Sequence, residues 1–160
     1  MSIVLKNIDY TYMRGTPFER KALSDVSLTI KAGSFTALAG HTGSGKSTLV
    51  QHLNGLLQPD SGTVLVDGTD IGKKGAEAKK AKHSVGMVFQ YPEHQLFEET
   101  VEKDVAFGPM RLGLSAQEVE ERVRAALDFV GLPVSEFGAR SPFALSGGQR
   151  RRAAIAGVLA

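Results

Sequence analysis

An apolar run, Phe35 to Ala39, leads directly into Gly40-His41-Thr42-Gly43-Ser44-Gly45-Lys46-Ser47-Thr48, after which Leu49, Leu53 and Leu56 recur at helical spacing. No other stretch constrains the fold as much. Gly40, Gly43 and Gly45 leave backbone N–H groups free of side chains where a strand turns into a helix, and the start of a helix carries partial positive charge. Such a turn cradles phosphate. Within it Lys46 is placed to reach the outer phosphates and the Ser47 hydroxyl to ligate Mg²⁺, with His41, Thr42, Ser44 and Thr48 completing the loop. Strand, glycine loop and helix in that order are the context the motif requires.

A second short segment, Leu145-Ser146-Gly147-Gly148-Gln149, is a glycine-rich turn that opens another apolar helix, Ser146 to Ala160. Its backbone amides and the Ser146 hydroxyl make a second place where an anion can be gripped. A lone Ser-Gly-Gly is common in loops, so the weight lies in the pair of motifs and in the basic, then apolar, helix that follows the second. After Gln149 the chain as written has no acidic residue. Phosphoryl transfer needs one carboxylate to hold Mg²⁺ and another to orient water. The chain as written is therefore expected to bind nucleotide without turning it over.

At 160 residues and 42% hydrophobic the chain has the balance of a globular domain with a real core. A net charge of +2 gives no argument for a nucleic-acid partner. With no cysteine, disulfides and thiolate metal sites are excluded. No apolar run approaches the ~20 residues that span a bilayer, so a membrane role has to pass through a partner.

Alternation marks strands at Ile3 to Tyr12, with Ile8, Tyr10 and Tyr12 on one face, and at Val26 to Ile30. Continuous apolarity marks Phe35 to Ala39 and Val85 to Phe89 as strands buried on both faces of a sheet. Ser61 to Ile71 reads as a hairpin-like strand and turn with Asp67 and Gly68 at the turn. The lysine-rich stretch Gly72 to His83 reads as a solvated surface segment. Ser47 to Leu57 and Ser115 to Val130 read as helices, the latter capped by Ser115 with Glu118 as its capping-box partner. The expected architecture is α/β: a phosphate-loop core sheet with an antiparallel β portion at the N-terminus and a helical subdomain. Its parts are a nucleotide-binding core over 1–91, the helical subdomain over 92–144, and the second motif with its helix over 145–160. His41 sits in a loop that works through its backbone, so no general-base role is expected of it. His52, His83 and His94 show no metal-ligand spacing.

The order Tyr12, Gly40 to Thr48, Gln90, Leu145 to Gln149 resembles the ATP-binding cassette (ABC) ATPases over the whole chain. That resemblance implies ATP and Mg²⁺ as ligands, Tyr12 stacking on adenine, and Gln90 as a catalytic residue that touches Mg²⁺ and the attacking water. It also implies that Leu145, Ser146, Gly147, Gly148 and Gln149 contact the ATP held by a second ATP-binding subunit. By their residues alone, Tyr12 also suits an aromatic on a strand face and Gln90 an ordinary strand end. The runs VFQYPEHQLFEETVEKDVAFGPMRLG (Val88 to Gly113), RGTPFERKAL (Arg14 to Leu23) and SPFALSGGQRRRAAIAGVLA (Ser141 to Ala160) are similar to the energy-coupling factor branch of that family, its second ATP-binding isoform in particular. This implies a peripheral subunit on the cytoplasmic side of the cell membrane, paired with a second ATPase. Its further partners would be a transmembrane coupling subunit and a substrate-binding membrane subunit for a vitamin or metal ion.

Gln95 to Phe107 mixes Leu96, Phe97, Val101 and Phe107 with Glu98, Glu99 and Glu102. It reads either as a helix with a solvated acidic face or as a receptor for a basic amphipathic helix. The resemblance favours the second, with Leu96, Phe97, Glu98 and Glu99 as docking residues. A soluble ATPase of the same family acting on DNA or ribosomes would be expected to carry a coiled-coil insertion or a second cassette, and the sequence shows neither.

Overall fold

The computed structural model describes Met1 to Ala160, which divide into two compact units, Met1–Val85 and Gly86–Ala160. In the first unit β1 (Ile3–Tyr12), β2 (Arg20–Ile30), β3 (Ser61–Val66) and β4 (Thr69–Asp70) form a four-stranded antiparallel sheet in the order β2-β1-β3-β4. Helices α1 (Lys46–Leu53) and α2 (Ala76–His83) accompany it. Alternation puts Ile3 and Leu5 inward, and a register shift between Leu5 and Ile8, with Asn7 at φ 49°, brings Ile8 into the same core. Leu23, Leu49, Val64, Val66 and Ile71 complete that core. The β3–β4 turn falls at Asp67 and Gly68, whose φ values of 45° and 81° are the paired positive values that a tight hairpin needs.

Helix α1 is shorter than its leucine spacing suggests. Gly55, at φ 73°, donates to the His52 carbonyl just beyond the Asn54 cap and ends the helix, which leaves Leu56 exposed. The lysine-rich stretch is exposed over most of its length, and its last eight residues form α2, which buries Ala78.

The continuous apolar runs depart from expectation. Phe35 to Ala39 and Val85 to Phe89 form no ladder with any strand, and Phe35 is 97% exposed. A strand buried on both faces exists only when neighbours supply hydrogen bonds along its edges. The four strands formed here satisfy one another instead.

The second unit is helical: α3 (Val101–Arg111), α4 (Ala116–Phe129), α5 (Val134–Phe137) and α6 (Gly147–Leu159), with single 3₁₀ turns at Pro92–Gln95 and Pro142–Ala144. Val101, Val105, Val123, Leu127, Leu132 and Phe137 pack with Ala153 and Ala156 of α6. Small residues let α6 come close to α3, so that a Cβ on Gly157 would lie 3.9 Å from the Val105 Cα. Truncating a fully buried leucine such as Leu127 would cost about 2–5 kcal/mol. Helix α4 begins at the Ser115 cap, with both halves of the capping box formed by Ser115 and Glu118. No helix is long and apolar enough to cross a membrane.

Candidate nucleotide site and signature turn

In the first unit, Gly40 to Gly45 wrap the ammonium of Lys46. Its Nζ donates to the carbonyls of Gly40 at 2.7 Å and His41 at 2.8 Å, and lies 3.4 Å from the Ser44 hydroxyl. Within Gly40–Lys46 the one backbone bond is from the Ser44 N–H to His41. Gly45 caps α1 in the left-handed region, with no side chain capping the helix and no acidic residue in its first turn. The first amides of α1 therefore have no intrahelical acceptor and face no competing anion.

Strand β2 underlies this loop. A Cβ on Gly45 would lie 2.7 Å from the Ala22 carbonyl oxygen, and one on Gly43 would lie 3.3 Å from Nη2 of Arg20. With φ of 86° at Gly45 and 83° at Gly43, both positions favour glycine by conformation, and Gly45 is also closed by the backbone of β2. The result is a glycine loop closed on the Lys46 ammonium, at the mouth of a helix whose first amides lack an intrahelical acceptor. That geometry fits the phosphates of a nucleotide.

Tyr12 stands at the end of β1, half-exposed. Its hydroxyl is 3.1 Å from Oγ1 of Thr48, and its ring meets Tyr10 edge to face at 4.9 Å. His41 is exposed and its Nδ1 lies 2.8 Å from the Thr42 carbonyl, while Thr42 itself is exposed. Ser47 is exposed on the first turn of α1. No group of three or more His, Asp or Glu side chains is placed to hold a metal on its own.

His52, one of the scattered histidines, is fully buried on the last turn of the loop helix. Its Nδ1 lies 2.7 Å from the Thr48 carbonyl and therefore carries the proton, and its ring meets Tyr10 edge to face at 4.9 Å. Burial on α1 above the sheet is its role, and periodicity alone does not separate it from an exposed helical histidine.

In the second unit, Gln90 is exposed and is followed by Tyr91 at φ 66°, ψ 57°. A bulky residue in that region costs of order 1–3 kcal/mol and is characteristic of functional turns. Buried Pro92 anchors the turn, and the Tyr91 ring stacks on His94 at 5.7 Å.

Ser146 caps α6. Its hydroxyl accepts from the Gln149 N–H at 3.3 Å, and the Gln149 side chain accepts from the Ser146 N–H at 2.9 Å. Leu145 is buried in the helical core. Gly147 and Gly148 have no left-handed φ, and a Cβ on either would meet open space. Beside them lies a cavity of about 550 Å³ lined by Glu93, His94, Phe143 and Arg151, among others.

The expected docking segment is only partly a surface. Leu96 is 6% exposed and packs inward, which removes it from the docking set. Phe97 is exposed and meets Phe107 edge to face at 5.0 Å, and Asp104 holds the N–H groups of Phe97 and Glu98 at 2.8 and 2.9 Å. Glu99 pairs with Lys103 at 2.7 Å, which holds its carboxyl below the usual carboxylate range. Glu98, Glu102, Phe107 and Met110 line an open groove of about 950 Å³. Arg152 was not foreseen from sequence. It donates to the carbonyls of Val130 at 2.8 Å and Gly131 at 3.1 Å, satisfying the C-terminal end of α4.

Residues 23–160 match the family model described as ABC transporter. An energy-coupling factor transporter ATP-binding protein EcfA2 of Clostridium tetani is 57% identical over the whole chain, which covers 56% of that relative. The corresponding EcfA2 of Symbiobacterium thermophilum is 58% identical over the whole chain, covering 55% of its length. The chain thus spans about half the length of the curated relatives it matches. Among solved structures, cbiO1 from Clostridium perfringens, described as part of the ABC transporter complex cbiONQ, superposes with a TM-score of 0.81 at 39% identity, covering 98% of this chain and 60% of that one. The ATP-binding cassette MJ0796, a dimer in a post-hydrolysis state bound to ADP and Pi, gives a TM-score of 0.81 at 32% identity, covering 98% of this chain and 68% of that one.

Proposed function

We propose, because this chain belongs to the ABC transporter family, that it is the nucleotide-binding part of an energy-coupling factor importer's ATPase, which couples ATP hydrolysis to uptake of a vitamin or metal ion. The observation that carries the reading is the Gly40–Gly45 cradle closed around Lys46. Lys46 exchanges its two loop carbonyls for the outer phosphates when nucleotide enters, and the free amides at the start of α1 take the phosphate oxygens. Mg²⁺ would supply charge neutralisation to those phosphates, and Ser47 is the side chain of this unit that would hold it. Tyr12 stacks on the base.

The bare Gly147 and Gly148 support a two-subunit site. Neither glycine is required by its own backbone or by its neighbours. Glycine at both positions suits close approach by something outside the chain, the ATP held in the phosphate loop of a second ATP-binding subunit. Glu98 and Glu102, in a groove they share with Lys103 and Arg111, support docking of a basic helix of a transmembrane coupling subunit, and a peripheral position on the cytoplasmic side of the membrane is part of the same proposal.

Sedimentation of the purified protein with and without Mg-ATP tests this reading. ATP should drive association, and Gly147→Asp, which sets a carboxylate against the partner's phosphates, should abolish association while sparing nucleotide binding. Association that is independent of ATP, or untouched by Gly147→Asp, would refute the shared site.

A further inference from the structure

The hairpin of β1 and β2 meets the phosphate loop through a second cation besides Lys46. The register sets Tyr12 directly opposite Arg20. Opposite residues of an antiparallel pair project from the same face with Cβ atoms about 4.5–5.5 Å apart. Both face the phosphate-loop region: the Tyr12 hydroxyl lies 3.1 Å from Thr48 on α1, and the Arg20 guanidinium lies near Gly43, 3.3 Å from where a Cβ would stand. Arg20 is exposed, and none of the ion pairs includes it, whereas its neighbour Lys21 is held by Asp9 at 2.7 Å. An unpaired guanidinium against a glycine of a phosphate cradle carries its charge where the ligand's charge will be.

We propose that Arg20 is a nucleotide-binding residue, a second phosphate-binding cation that contacts the phosphate chain from the Gly43 side of the loop. This rests on the nucleotide-site reading above and adds to it a residue outside the loop. One lysine is a single point charge against a chain of phosphates, and the planar fork of a guanidinium offers parallel N–H donors that match two phosphate oxygens. The inference also gives a second reason for glycine at position 43. A side chain there would crowd the guanidinium away from the cradle.

Calorimetric titration of Mg-ATP and Mg-ADP into the purified wild type, Arg20→Ala, Arg20→Lys and Lys46→Ala, at low and high salt, tests the proposal. Arg20→Ala should weaken both nucleotides about tenfold or more at low salt, and the deficit should shrink at high salt as charge is screened. Arg20→Lys should keep part of the affinity, and the melting temperature of Arg20→Ala should stay at that of wild type. Unchanged affinity in Arg20→Ala, or a salt-independent loss accompanied by a lower melting temperature, overturns the proposal and leaves Arg20 as a structural prop. If Lys46→Ala alone weakens binding, the nucleotide site stands and Arg20 is not part of it. If neither variant weakens binding, the nucleotide site itself is wrong.

Discussion

The hydroxyl of Tyr12 lies 3.1 Å from Oγ1 of Thr48, joining the end of β1 to the first turn of the phosphate-loop helix. In the proposed site the same side chain does two jobs, bracing α1 with its hydroxyl and stacking on a base with its ring. Tyr12→Phe separates them. Losing one neutral hydrogen bond should lower stability by about 1 kcal/mol and leave Mg-ATP affinity nearly unchanged. Tyr12→Ala should in addition lose base stacking of about 1–3 kcal/mol. Denaturant melts and nucleotide titrations of the two variants read the two effects apart, and equal affinities for Tyr12→Ala and wild type would remove the ring from the site.

Glu98, which lines the groove, and its exposed neighbour Glu99 predict a charge-dependent partner. Reversing Glu98 and Glu99 to lysine should reduce co-purification with a membrane subunit that offers a basic amphipathic helix, while Mg-ATP binding persists. Glu99 and Lys103 are both exposed, so breaking their pair should have little effect on stability. Complex assembly that survives the reversal in moderate salt would place docking elsewhere.

Acid should loosen the helical unit at the start of α4. The Ser115 hydroxyl and backbone N–H both donate to the Glu118 carboxylate and hold its pKa below the ordinary carboxylate range. A carboxyl depressed in the folded state contributes stability above its unfolded pKa, and that contribution is lost as pH falls through the lower folded value. Melting temperature followed from neutral pH downward should therefore fall more steeply for wild type than for Glu118→Ala, the two curves converging in acid. Ser115→Ala should cost about 1 kcal/mol at neutral pH. Parallel curves for wild type and Glu118→Ala would show that the box contributes nothing to acid sensitivity.

Local chemistry was legible in this sequence wherever one residue's geometry decides the structure. Ser115 with Glu118 marked the start of α4, Asp67-Gly68 marked a hairpin, and Gly43 and Gly45 marked a loop that only glycine can make. Features that depend on distant partners were not legible. Phe35 to Ala39 and Val85 to Phe89 carry the composition of buried strands, but composition does not say whether neighbours will pair with them. Leu96 and Phe97 look alike in a mixed apolar and acidic run, and only packing turns one inward and leaves the other exposed. Nothing in the sequence singles out Arg20 or Arg152. The β1–β2 register sets the first beside Gly43, and the end of α4 gives the second its carbonyl partners.

The central claim is that the loop around Lys46 is a nucleotide site, and titration of Mg-ATP into wild type and Lys46→Ala tests it most directly. Removing the ammonium should weaken binding by about tenfold to over a hundredfold, the worth of a charge-assisted contact, with the far-ultraviolet circular dichroism spectrum unchanged. Equal affinities for the two proteins would contradict the account.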